Sequence, residues 1–270
     1  MATFSSKTFN SALYLSFRPG YNADFYKMLY DYHMRNNGQF DTAVDVGTGT
    51  GQVACVLAEK FKHVHGVDAS AIMLASAVQK PNIKYHVSNG EDLNMIPSSS
   101  VDVLTVAQAL HWFDHPRLFS EVKRVLKPHG TFAAVGYSFV MLENHPRASK
   151  RVYCLGNEPD QLGTFWDNGR LIVQNLYRSI EVPLKNVERH YFPDESGSEL
   201  PLMMENVTMN HFRNHIKTWS SYKNYSEKHP DRPDIVDKTV DAILEEENLK
   251  EEDEVTLIWP TVLILAENNA

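Results

Sequence analysis

A chain of 270 residues that is 43% hydrophobic and 22% charged can bury a sizeable core, as a soluble globular protein of one large domain or one domain with an insertion. A net charge of −8 and a pI near 5.8 argue against nucleic acid or an anionic membrane as partner, since either calls for a basic patch. No apolar run approaches the ~20 residues of a membrane span, and the two cysteines, Cys55 and Cys154, exclude a disulfide framework and fit a reducing, cytoplasmic setting.

Residues 1–20 read as an N-terminal arm with Phe4, Phe9, Leu13, Tyr14 and Phe17 as apolar anchors, ended by Arg18-Pro19-Gly20. With Lys7 and Arg18 as its only basic residues, a cleaved presequence is not expected. Residues 22–35 predict a helix with Phe25, Leu29 and Tyr32 inward, stopped at Asn36-Asn37-Gly38. A short buried strand, 42–46, runs into Gly47-Thr48-Gly49-Thr50-Gly51. A helix over 52–61 follows, with Val53, Val56, Leu57 and Phe61 on one stripe. Strand 63–68 ends in Asp68, and Ser70 is placed to cap a helix over 71–78. Strands 82–87 and 101–107 follow, with a polar loop at 88–93 between them. A helix over 116–126 stops at Lys127-Pro128-His129-Gly130, before a fifth strand over 131–137.

Beyond Tyr137 the rhythm changes. Residues 141–170 are rich in turn formers, Pro146, Pro159, Gly163 and Gly169 among them. A helix is predicted over 171–177, a strand over 187–192 and an exposed loop over 193–201. Phe212, Ile216, Trp219 and Tyr222 stand at helical spacing in a helix over 208–225. A helix over 234–247 and a final apolar strand over 254–266 close the chain; Trp259-Pro260 inside that strand favours an edge or a bulge.

Strands alternating with helices imply an α/β fold, a parallel sheet with helices on both faces. Ligands then sit beyond the carboxyl ends of the strands. Gly47, Asp68, Gly90 and Gln108 all fall just past predicted strand ends. Glycines let the backbone turn and let a ligand come close, and the following helix start presents free N–H groups. The spacing is not the dinucleotide pattern G-x-G-x-x-G, whose third glycine would fall where Gln52 stands. On these residues alone a βα turn without a ligand stays open. His211 and His215 lie four apart but lack the glutamate of H-E-x-x-H, so no metal site is expected.

Asp45-Val46-Gly47-Thr48-Gly49-Thr50-Gly51 resembles motif I, D-x-G-x-G-x-G, of the class I S-adenosylmethionine (SAM)-dependent methyltransferases, and 40–137 as a whole resembles their core. The resemblance implies a Rossmann-like, seven-stranded, mostly parallel sheet in a single domain over 1–270. Within it, 1–20 is the arm, 40–137 the SAM-binding core, 141–250 a substrate lid with the remaining sheet elements, and 254–266 the last strand. It implies SAM as cofactor, held by Asp45, Gly47, Thr48, Gly49 and Gly51, with Asp68 and Ala69 at the ribose, where Asp68 by itself also reads as a cap of the following helix. Gly90 and Glu91 would lie beside the adenine, where many family members carry Asp in place of Asn89, and Gln108 beside the methionine moiety.

A narrower resemblance, to fungal trans-aconitate methyltransferases and their relatives, is carried by Tyr14, Arg18-Pro19-Gly20-Tyr21, His111-Trp112-Phe113-Asp114 and Lys217-Thr218-Trp219-Ser220-Ser221-Tyr222; most members have Pro where Gly20 stands. Those proteins methylate small carboxylic acids. The resemblance implies an arm folded over the cofactor with Tyr14 and Arg18 in contact, where the residues alone read equally as packing of the arm, and a small acid as substrate.

Arg18 and Arg170 are the candidate carboxylate clamps, because a guanidinium grips a carboxylate with two parallel hydrogen bonds. His111 and Trp112 read either as a substrate wall or as a core aromatic pair. Trp219 and Tyr222 read as a core stripe, or through the resemblance as site residues. Asp45 either orders the glycine loop or reaches the ligand's ammonium through water. A carboxylate acceptor is ionised at neutral pH and needs no base; a hydroxyl or amine acceptor makes His111 the first base to consider. Two rival readings are a SAM-binding scaffold without catalysis and a nicotinamide oxidoreductase.

Overall fold

The structure, a computed structural model, describes residues 16–193 and 201–269. Helix α1 (Ala23–Arg35) starts where Asn22 accepts the amide of Phe25 and buries Phe25, Leu29 and Tyr32. Strand β1 (Thr42–Val46) then runs up the middle of the molecule, paired in parallel with β2 (His63–Asp68) and β4 (Val101–Ala107). Its neighbours on both sides explain its near-continuous apolar run. Successive side chains go to opposite faces. Val44 and Val46 join one core with Leu104, Val106 and Phe132, while Ala43 joins the other with Leu29, Leu57 and Val103.

The main sheet has seven strands in the order β3-β2-β1-β4-β5-β10-β7, where β3 is Ile83–Val87, β5 Leu126–Tyr137, β7 Lys185–Phe192 and β10 Thr261–Glu267. Strand β10 runs antiparallel to both its neighbours; the other pairs are parallel. The strand order reverses between β1 and β4, which opens a crevice beyond their carboxyl ends. Between the early strands lie α2 (Gln52–Leu57), α3 (Ala71–Ala75) and α4 (His115–Val125). Ser70 caps α3 by accepting the amide of Met73, and Asp114 caps α4 by accepting that of Arg117.

Helices α2 and α3 are shorter than 52–61 and 71–78. The backbone instead turns inward, so that Val78 N–H reaches Thr50 O at 3.2 Å and Val78 O accepts the Tyr85 hydroxyl at 2.7 Å. The turn-rich 141–170 holds a full helix, α5 (Pro146–Asn157). Pro146 is its first residue, where a missing N–H costs nothing. The helix expected over 171–177 is the short α6 (Arg170–Gln174), followed by turns.

The helix expected over 208–225 is two, α7 (Met209–Lys217) and α8 (Ser220–Lys228). The break falls at Thr218 and Trp219, where Trp219 is extended and the Thr218 hydroxyl bonds back to His215 O at 2.6 Å. The strand expected over 254–266 is also two. Strand β9 (Glu254–Ile258) pairs with β6 (Met141–Leu142) and β8 (Met204–Thr208) in a small antiparallel sheet, and β10 belongs to the main sheet. Trp259-Pro260 is the crossing point, with Pro260 O accepting Ser138 N–H at 2.8 Å. Most of the loop expected over 193–201 lies outside the described residues. The small sheet, α5, α7, α8 and α9 (Ile235–Glu247) bury a core of their own around Trp259, Phe212, Leu257 and Val240. Among the described residues no helix is long and apolar enough to cross a membrane.

Candidate active site

Two cavities meet beyond the strand ends. The larger holds about 650 Å³, within the ~300–1,000 Å³ of small-molecule sites. Of the residues expected at the cofactor, Arg18, Asp45, Gly47, Thr48, Gly49, Asp68, Ala69, Gly90, Glu91 and Gln108 line it. The smaller, about 60 Å³, lies behind it and is lined by His111, Trp112, Arg170 and Trp219 from the expected substrate set. Arg18, Gln108, Trp112 and Tyr137 line both and form the neck between them.

The glycine turn is built for close approach. Gly47, Gly49 and Gly51 have φ of +70°, +56° and +82°, a region glycine enters without steric cost. Gly51 is nevertheless not a chamber residue. It is the residue before α2 and faces β3, where an added Cβ would meet the Tyr85 hydroxyl oxygen at 2.2 Å. Its role is to let helix and strand pack. Asp68 Oδ2 accepts Gly49 N–H and Oδ1 accepts Ser70 N–H, both at 2.8 Å. The carboxylate thus locks the turn and retains lone pairs for the cavity it lines. Burial raises its pKa. Glu91 Oε1 accepts Asp114 N–H at 2.8 Å and holds the 88–93 loop against α4.

Asp45 is buried beneath the turn and accepts the hydroxyls of Thr48 and Thr105, each at 2.6 Å. These bonds tie the glycine loop to β4. Burial pushes its pKa up to about 6 because the charged form is poorly solvated there. For a carboxyl whose folded pKa is raised, the stabilising contribution is full below the unfolded pKa and is lost as pH rises through about 6. In Asp45→Asn, neutral at every pH, that loss should vanish. The melting temperature of the variant minus that of the parent should therefore become more positive from pH 5 to 7.5; a difference that stays flat would refute this.

Gln108 makes the neck rigid. Its side chain takes Tyr137 N–H at 2.8 Å and gives to Tyr137 O at 3.1 Å, from a backbone at φ +51°. Strained φ values of this kind persist where the surroundings over-determine them. Arg18 gives hydrogen bonds to the Tyr137 hydroxyl at 3.3 Å and to Thr218 O at 3.2 Å.

Behind the neck the annex is cationic and aromatic. The Arg170 guanidinium lies 3.9 Å from the centre of the Phe139 ring and 4.3 Å from that of Trp166. Its Nε is buried without a hydrogen-bond partner, and Arg170 makes no ion pair among the described residues. Burial and the nearby Arg18 charge bring its pKa down to about 9, so it stays protonated at neutral pH. Two histidines line the same space and are held neutral, His111 by burial and the Arg170 charge, and His215 by burial and the Arg18 charge; each is lowered to about 3.

Tyr222 lines neither cavity. It packs on the small-sheet core and its hydroxyl bonds to Asp234, because the break before α8 turns it away from Trp219. Tyr14 lies outside the described residues. Met73, Phe113, Arg117 and Tyr137 in the chamber and Phe139, Trp166, His215 and Trp259 in the annex were not foreseen. Tyr137 carried a signal, as the last residue of a strand whose neighbours end at the site. His215 stands one helical turn before Trp219 and carried another.

A family profile described as a methyltransferase domain matches residues 44–134. The chain is 30% identical over 264 residues to the "Probable S-adenosylmethionine-dependent methyltransferase" of Saccharomyces cerevisiae, spanning 90% of each chain. Among solved structures it is similar to the "Putative Type II Methyltransferase" of Anaeromyxobacter dehalogenans, with a TM-score of 0.75 and 26% identity, covering 94% of this chain and 100% of that one.

Proposed function

This chain belongs to the SAM-dependent methyltransferases, and we propose that within them it O-methylates a small di- or tricarboxylic acid to its methyl ester. The observation that carries the acid is Arg170, a guanidinium stacked on two aromatic rings in the annex with no hydrogen bond or ion pair of its own among the described residues. A planar fork of donors beside a cavity, with its Nε buried and unpaired, is matched by a carboxylate. Arg18 adds a second positive charge at the neck. The resemblance to trans-aconitate methyltransferases points to the same class of substrate.

The larger chamber fits the cofactor. Asp68 can accept from a ribose diol, the side-chain-free Gly47 and Gly49 admit close approach, and the loop carrying Gly90 and Glu91 also lines the chamber. SAM, when bound, supplies a methyl group already activated by the sulfonium charge. The chain's own task is then to hold one carboxylate of the acid on Arg170 and leave another at the neck, facing the chamber. The aromatic walls keep water out, and Gln108 and Tyr137 fix the direction of approach. This is catalysis by orientation. A carboxylate oxygen is anionic at neutral pH, so no base is called for.

The test is methyl transfer to a panel of small tricarboxylates, dicarboxylates, neutral alcohols and amines. Base-labile methyl esters of the polycarboxylates are expected. Methylation of amines or phenols with no acid touched would sink the acid reading and leave the methyltransferase standing.

A further inference from the structure

The annex holds a second group aimed at the acid, and we propose that His111 donates a hydrogen bond from Nε2 to the bound carboxylate, its proton fixed on that nitrogen by Tyr177 as positioning residue. The proposal rests on the acid-methylating reading above. His111 Nδ1 lies 3.1 Å from the Tyr177 hydroxyl. Among the described residues the Tyr177 hydroxyl makes no other hydrogen bond, and a buried hydroxyl proton calls for an acceptor. The hydroxyl proton therefore has one acceptor among the described residues, the Nδ1 lone pair. A neutral imidazole that accepts at Nδ1 carries its own proton on Nε2. That nitrogen is on the far side of the ring from Tyr177, in a side chain that lines the annex beside Arg170.

Tyr177 is held hard in this position. It is fully buried, and its ring lies so close over Gly136 of β5 that an added Cβ there would come within 2.4 Å of it. Leu176 and Tyr177 take φ of +50° and +53° in succession, a costly pair for residues with side chains. The strain turns the chain after α6 so that the phenol sits beneath His111. Burial and the Arg170 charge oppose a second proton on the ring, so His111 offers one N–H and no free lone pair. It cannot act as base for a hydroxyl acceptor, and the guanidinium beside it favours an anion over a neutral alcohol. His111 thereby selects acceptors that arrive as anions.

The test uses the full chain labelled with 15N-histidine. Long-range 1H–15N correlation spectra tell which ring nitrogen bears the proton, and the signal missing from His111→Gln identifies the residue. The parent should show His111 in the Nε2–H form, and Tyr177→Phe should shift it toward Nδ1–H. In kinetics, His111→Gln places an amide N–H near the lost Nε2–H and should keep most of kcat/KM for the acid. His111→Leu should lose roughly 10- to 100-fold, mainly in KM, as expected for one hydrogen bond to a charged group. Finding Nδ1–H in the parent, or equal losses in kcat for Gln and Leu, overturns the proposal while acid methylation stands. If no acid is methylated, the acid reading falls and this proposal falls with it.

Discussion

Replacing Arg170 with Met should lower kcat/KM for the acid by about 100-fold or more and leave the protein at least as resistant to heat as its parent. The first half follows from the loss of a two-pronged contact to an anion, each bond to a charged group being worth about 1.5–3 kcal/mol. The second half follows from what Arg170 lacks. Its charge is taken out of water with no ion pair among the described residues, and removing such a charge relieves a desolvation cost. Met fills similar space against Phe139 and Trp166 and replaces the guanidinium–ring contacts with sulfur–aromatic ones. Arg170→Lys should also be severe, since it keeps charge and loses the fork. Steady-state kinetics with the acid, thermal melts and calorimetric binding of SAM separate these effects, and SAM affinity should barely move. Normal turnover in Arg170→Met would remove the reason for assigning an acid.

Asp68→Asn should weaken SAM binding nearly as much as Asp68→Ala, by roughly 10- to 100-fold for each unsatisfied group at 1–3 kcal/mol. The two substitutions look unequal on paper. In the structure each carboxylate oxygen faces a backbone N–H, from Gly49 on one side and Ser70 on the other. An amide keeps one oxygen and must turn its NH2 group toward the second N–H, donor against donor. Either choice loosens the loop or the start of α3, in addition to any bond lost to the ribose. Calorimetry with SAM and with its demethylated product is the measurement. A folded Asp68→Asn that binds both as the parent does would show that the carboxylate is no part of the site.

What was legible in the sequence was the half of the molecule where one local signal decides each element. Strands β1, β2 and β4 fall where the apolar runs put them, and Ser70 stands at a helix start as its sequence position indicated. The chamber followed, because residues just past strand ends of a parallel sheet must share one edge. The second half resisted because its boundaries are set by tertiary contacts. Periodicity runs unbroken through Thr218 and Trp219, yet the chain kinks there to put Trp219 on the annex. The apolar run 254–266 gives no sign that its halves join different sheets. Gly51 matched a motif letter, but what surrounds it is Tyr85, which lies on β3. Tyr177 carried no signal at all, since its place under His111 depends on two left-handed residues after α6.

The annex wall also has an optical consequence. The chain has four tryptophans, and all of them, Trp112, Trp166, Trp219 and Trp259, border that one small space. Indole emission excited at the red edge of the absorption band therefore comes from a single locality, with no background from elsewhere in the fold. Two guanidiniums and two neutral imidazoles share that locality, so the colour and yield of the emission are set by whatever neutralises or displaces charge there. If the proposed function holds, the protein carries its own reporter for the acceptor half of the reaction, readable without a label, while the larger chamber, which shares only Trp112 with the annex, stays largely dark.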